Sequence, residues 1–90
     1  MEIAYSPDAQ KDLEWWKLNG DESSKNKIKR LLQEISEHPK TGTGKPEALS
    51  HNLSGLWSRR INKKDRIIYQ IFDDKVLILV LSLRNHYSDR

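Results

Sequence analysis

Three side chains in this 90-residue chain are suited to acid–base chemistry on an anionic substrate: Glu47, Arg66 and His86. Glu47 stands between Pro46 and Ala48, beside Lys45, and is the only acid between His38 and Arg59. A carboxylate there can take a proton, although spacing alone reads it first as an exposed loop glutamate. His86 follows the last hydrophobic segment, in Arg84-Asn85-His86-Tyr87. Imidazole titrates near neutral pH and serves as either acid or base; the plainer reading is a polar residue in a fraying tail. Arg66 lies across a turn from Arg59 and Arg60, and the run Arg59–Arg66 holds five bases and one acid. Guanidinium keeps its charge at neutral pH and can hold an anionic transition state. As a plain alternative, the whole run is a solvated hairpin tip. Trp57, Tyr69 and Tyr87 could stack on bases, and strand packing is the expected role of the first two.

Other chemistries lose their residues. There is no cysteine, hence no thiolate nucleophile, disulfide or Cys-ligated zinc. His38, His51 and His86 are far apart and show no helical pairing for a metal. Gly42-Thr43-Gly44-Lys45 lacks the spacing of a phosphate-binding loop, and no nucleophile elbow is present. Metal-free acid–base work with no cofactor is what remains.

The net charge of +3 is unevenly placed. Residues 1–45 hold eight Lys/Arg and eight Asp/Glu, whereas residues 46–90 hold eight and five. A local cationic excess of this kind attracts phosphate. The charged share of 32% and apolar share of 36% describe a small domain over 1–90 with a thin core. The longest apolar run, Val76–Leu81, is far below the ~18 residues of a membrane span. The first residues show no export pattern, which fits a cytoplasmic protein.

The elements needed to position these groups follow from local signals. Glu2–Tyr5 is β-leaning. Ser6-Pro7 starts a helix, with Ala9, Leu13 and Trp16 on one face and Gly20 expected to close it in a left-handed conformation. Only one ring of Trp15-Trp16 can face the core, leaving the other for the sheet edge or a partner. Asp21, Ser23 and Ser24 are caps for a second helix whose stripe is Ile28, Leu31, Leu32 and Ile35, stopped at His38-Pro39. A loop-rich stretch spans 39–55, with one short strand expected near Ala48–His51. Strands are expected at Leu56–Ile61, Arg66–Phe72 and Val76–Leu83, in an antiparallel meander. The order is β-α-α-β-β-β, an α+β fold with two helices on a small, mostly antiparallel sheet.

The middle of the chain also resembles a known family. Gly44-Lys45-Pro46-Glu47-Ala48-Leu49, His51-Asn52-Leu53-Ser54-Gly55-Leu56-Trp57-Ser58-Arg59-Arg60-Ile61, Asp65-Arg66-Ile67-Ile68-Tyr69 and His86-Tyr87 closely resemble YoeB/Txe-type toxins of the RelE superfamily. These are ribosome-dependent mRNA interferases of type II toxin–antitoxin systems. The resemblance implies a RelE-like fold and metal-independent endoribonuclease activity on mRNA in the A site of the 70S ribosome. It implies Glu47 as general base, His86 as general acid and Arg66 as stabiliser of the phosphorane. It also implies phosphate or substrate contacts from Arg59, Arg60, Tyr87, Lys45 and Trp57. Ser50 stands where relatives often carry lysine, which would remove one phosphate contact. The implied partners are mRNA, the ribosome and a YefM/Phd-type antitoxin whose acidic segment would fold onto the basic strands and the spare tryptophan. A homodimer is left open. Two other readings remain at this point: a superfamily toxin with another target, such as the gyrase-poisoning ParE type, and a non-catalytic RNA- or ribosome-binding module.

Overall fold

The computed structural model describes residues 1–85. Among them the chain forms β1 (Glu2–Tyr5), α1 (Pro7–Asn19), α2 (Glu22–Glu37), β2 (Glu47–Ala48), β3 (Leu56–Arg60), β4 (Arg66–Phe72) and β5 (Leu77–Ser82). Short 3-10 turns occupy His51–Leu53 and Asp73–Lys75. The early strand lies slightly ahead of its expected place, because residues from His51 onward coil rather than extend. The meander β3-β4-β5 is antiparallel as expected. β1 joins it in parallel beside β5, giving a mixed sheet in the order β1-β5-β4-β3-β2.

Ser6 begins α1 as a side-chain cap. Its Oγ accepts from Ala9 N at 3.0 Å and donates to Leu81 O at 2.9 Å, so the same hydroxyl fastens the helix to β5. Asp21 is the cap of α2, accepting from Ser24 N at 3.1 Å. The stripe on α2 behaves as its 3.6-residue spacing requires: Ile28, Leu31 and Ile35 are buried and Leu32 half-buried. These residues meet Ala9 and Trp16 of α1 and Ile67, Tyr69, Ile78 and Val80 of the sheet in one hydrophobic cluster.

Strand parity divides the sheet into two faces. Ile67, Tyr69, Ile78 and Val80 point to the helices. Directly paired residues share a face, so Ser58 with Ile68, Arg60 with Arg66 and Glu47 with Ser58 line the other side. Val76 belongs to neither face. It has a left-handed φ of 51° just before β5 and is exposed.

Gly20 does not close α1 in a left-handed conformation. Its φ is −76° and ψ 148°, an extended backbone open to any residue. Glycine is required there for space. A Cβ would lie 2.6 Å from Trp16 Cε3 and 2.7 Å from Trp16 O. Trp16 is buried and cannot retreat, because its Nε1 donates to Leu83 O at 2.9 Å. Gly20→Ala is therefore expected to destabilise the fold by about 1–3 kcal/mol through overpacking. Chemical denaturation followed by Trp fluorescence checks this; an unchanged midpoint would mean that Trp16 has room to move.

Candidate active site

The loop between α2 and β3 is built around one buried guanidinium. Arg59, on the helix side of β3, has no solvent exposure. Its five N–H groups all find acceptors. Nε donates to Tyr69 Oη at 3.3 Å. Nη1 donates to Glu34 Oε1 at 3.1 Å and Thr43 O at 3.3 Å. Nη2 donates to Thr41 O at 2.6 Å and to His38 O. Tyr69 Oη in turn donates to Pro39 O at 2.6 Å. Burial raises the Tyr69 phenol above its ordinary pKa, and the neighbouring guanidinium partly offsets that rise. Glu34 completes the knot by accepting from Thr43 N at 2.7 Å and Thr43 Oγ1 at 2.9 Å. The Thr43 hydrogen bonds, helped by Arg59, hold the Glu34 carboxyl below its ordinary pKa.

Arg59 is thus not available to a phosphate, contrary to its expected role; its charge is spent on the loop. Trp57 has the same strand parity and packs against the core on the helix side, away from Glu47 and Arg66. The glycines of the loop serve this packing. At Gly42, with φ of +123°, a Cβ would lie 2.5 Å from Glu34 Oε1. At Gly44, with φ of +85°, it would lie 3.0 Å from both Leu31 Cδ2 and Arg60 O. Gly44 O accepts from Arg60 N at 2.7 Å. Lys45 is exposed and also left-handed, at φ 53°, so the chain turns sharply just before Glu47 enters β2.

On the opposite face the structure does bring expected groups together. Arg66 Nη1 lies 3.6 Å from Glu47 Oε1 and 3.5 Å from Ser58 Oγ. The Arg66 and Glu47 side chains keep 41% and 63% of their exposure, so water and substrate can reach both. Such an exposed pair adds little to stability. Arg60 is opposite Arg66 on the neighbouring strand, so both arginines belong to this face. A cavity of about 270 Å³ adjoins Arg66, lined by Leu49, Leu53 and Ile68 together with Lys64, Arg66, Arg84 and Asn85. Its apolar floor and cationic surround suit a ligand with a flat apolar part and a phosphate.

His86 and Tyr87 lie outside the described residues. The chain leading to them is held by contacts that sequence reasoning missed. Leu83 N donates to Asp12 Oδ2 at 2.8 Å. The Arg84 guanidinium lies 3.7 Å from the centroid of the Trp15 ring. Trp15 is therefore half-buried under Arg84 and edge-on to Trp16, not a spare ring open to a partner. Asn85 N donates to Asp65 Oδ1 at 2.9 Å. The sequence signal for Asp12 was its place on the Ala9–Trp16 side of α1.

Two helices on one face of a mixed sheet, with a carboxylate and arginines on the other, is the architecture of a class of small bacterial toxins. The chain superimposes on a YoeB/ParE toxin from Agrobacterium tumefaciens with a TM-score of 0.88 and 31% identity, over 97% of this chain and 100% of that one. Residues 5–87 match the model of the YoeB-like toxin of bacterial type II toxin–antitoxin systems, and the chain belongs to that family. It is 42% identical to the toxin YoeB of Mycobacterium bovis over 94% of this chain and 96% of the relative. YoeB of Staphylococcus aureus, 38% identical over 97% of this chain and 98% of that one, has been solved as a heterotetrameric complex with YefM, at a TM-score of 0.83. It has also been solved as a dimer, at a TM-score of 0.81.

The division of labour between adjacent arginines is testable. Arg59→Lys cannot make the five-acceptor network and is expected to cost about 3 kcal/mol or more. Arg60→Lys should stay within about 0.5 kcal/mol of the parent. Thermal unfolding of the two variants checks this; equal stabilities would mean that the buried network is not what holds the loop.

Proposed function

We propose that this toxin is a ribosome-dependent endoribonuclease that cuts mRNA in the A site and so stops translation. The observation that carries the reading is the Glu47–Arg66 pair on the open face of the sheet, 3.6 Å apart and accessible. In the free protein the carboxylate and guanidinium neutralise each other. A bound RNA phosphate competes for Arg66, which frees Glu47 for a neighbouring hydroxyl.

The reaction is an in-line displacement. Glu47 takes the proton of a ribose 2′-OH while that oxygen forms a bond to the adjacent phosphorus. Arg66, aided by Arg60 and Lys45, holds the charge that accumulates on the equatorial oxygens. The bond from phosphorus to the 5′-oxygen breaks, and His86 supplies the proton that the leaving oxygen needs. The products are a 2′,3′-cyclic phosphate and a 5′-OH end, with no metal or cofactor required. Tyr87 is assigned to substrate positioning. A solvent-open groove on so small a sheet supplies little of the orientation such chemistry needs, and the ribosome is proposed to supply the rest. This activity takes place in the cytoplasm.

The inferred protein partner is a YefM/Phd-type antitoxin with an acidic segment complementary to the basic face around Arg60, Lys64 and Arg66. The YefM complex of the Staphylococcus aureus relative supports this inference, and its dimer supports self-association of this chain. The test is cleavage of mRNA on translating ribosomes. Glu47→Gln and His86→Gln are each expected to lose about 10²–10⁴ in rate, and Arg66→Ala about 10²–10³, all three remaining folded. Wild-type rates for folded Glu47→Gln and His86→Gln would overturn the assignment.

A further inference from the structure

The proposed reaction needs His86 to meet the leaving oxygen while Glu47 and Arg66 address the other side of the same phosphate. The described residues include a device suited to that task. Asp65 ends the turn between β3 and β4 and is only 8% exposed, which is unusual for a carboxylate. Burying this group is unfavourable unless it is hydrogen-bonded, and Oδ1 accepts from Asn85 N at 2.9 Å. The turn is rigid in its own right. Asn62 Oδ1 accepts from Lys64 N at 2.8 Å and Asp65 N at 2.7 Å. Asp65 O accepts from Ile61 N at 2.9 Å.

From this geometry we infer that Asp65 is a positioning residue for the general acid, a role that rests on the function proposed above. Asn85 immediately precedes His86. Between the amide that Asp65 holds and the Cα of His86 lie only the φ and ψ of Asn85 and one planar peptide. Asp65 is also bonded directly to Arg66, so one turn carries the phosphate-facing guanidinium and anchors the segment bearing the acid. The hydrogen bonds from Leu83 N to Asp12 and from Trp16 to Leu83 O hold the chain two residues before Asn85. Asp65 touches no reacting atom in this scheme. It acts through the backbone of Asn85, and a displacement of about 1 Å at such a group costs on the order of 10²-fold in rate.

The experiment is single-turnover cleavage of mRNA on programmed ribosomes, with the rate and half-saturating concentration measured separately. Asp65→Ala should lower the rate roughly 10- to 100-fold with half-saturation within about threefold, since substrate contacts remain. Asp65→Asn keeps an acceptor oxygen and should stay within about threefold of the parent rate. On a His86→Gln background Asp65→Ala should have no further effect, because the group it positions is gone. Should Asp65→Ala fail to fold, replacing Asn85 by its α-hydroxy acid removes the same N–H donor without altering Asp65. The same loss of rate is expected. Equal rates for Asp65→Ala and the parent, or multiplicative losses in the double variant, would overturn the positioning role while leaving the acid assignment standing. A parent-like rate for His86→Gln would instead overturn the acid assignment and Asp65's role with it.

Discussion

The guanidinium of Arg59 is the interaction on which the rest of the site depends. It sits beneath the loop that follows α2, with acceptors from α2, from β4 and from three loop carbonyls. Burying a cation is unfavourable by several kcal/mol unless every N–H is satisfied and a counter-charge is at hand. Glu34 supplies the counter-charge, and the loop carbonyls complete the satisfaction. The loop therefore cannot rearrange without stranding a buried charge. Because that loop leads into Gly44, Lys45 and the short strand at Glu47, the position of the proposed base is set by a residue on the other side of the sheet.

This arrangement separates rigidity from chemistry. The helix-covered face carries the apolar cluster, Tyr69 and Arg59, and it supplies the stability. The open face carries Glu47, Arg60 and Arg66 around a buried Ser58, and the exposed Glu47–Arg66 pair contributes little to folding. Weak pairing there suits the proposed site, in which carboxylate and guanidinium part when substrate arrives. The same economy shapes the end of the described chain. Beyond β5 the sheet no longer holds the backbone, and side chains from α1 and the β3–β4 turn take over at Leu83, Arg84 and Asn85.

The parts of this design that rest on local pattern were legible in the sequence. The Ile28-Leu31-Ile35 stripe, the Ser6 and Asp21 caps and the three-strand meander all depend on neighbours within a few residues. The parallel pairing of β1 with β5 joins residues 75 positions apart, and no local signal encodes it. The role of Gly20 is ambiguous in the sequence because glycine serves both left-handed turns and close approach, and only the position of the Trp16 ring distinguishes the two. Arg59 and Arg60 looked alike as charges. Their difference was within reach, since adjacent strand residues face opposite sides and Arg59 alternates with Trp57 and Ile61. Glu47 with Arg66 could be named from residue type and resemblance, but their approach to 3.6 Å needed the register of β2 on β3. The contact of Asp65 with Asn85 had no sequence signal, because a turn aspartate is ordinarily solvated.

The central claim is that a ribose hydroxyl of the mRNA, deprotonated by Glu47, is the nucleophile. The most direct measurement is cleavage, on translating ribosomes, of an mRNA carrying a single 2′-deoxyribose at the nucleotide 5′ to the scissile phosphate. This message should bind and not be cut there, while the matched all-ribose message yields a 2′,3′-cyclic phosphate. Cutting of the deoxy-substituted message at the same phosphate and a comparable rate would contradict the account, since water would then be the nucleophile.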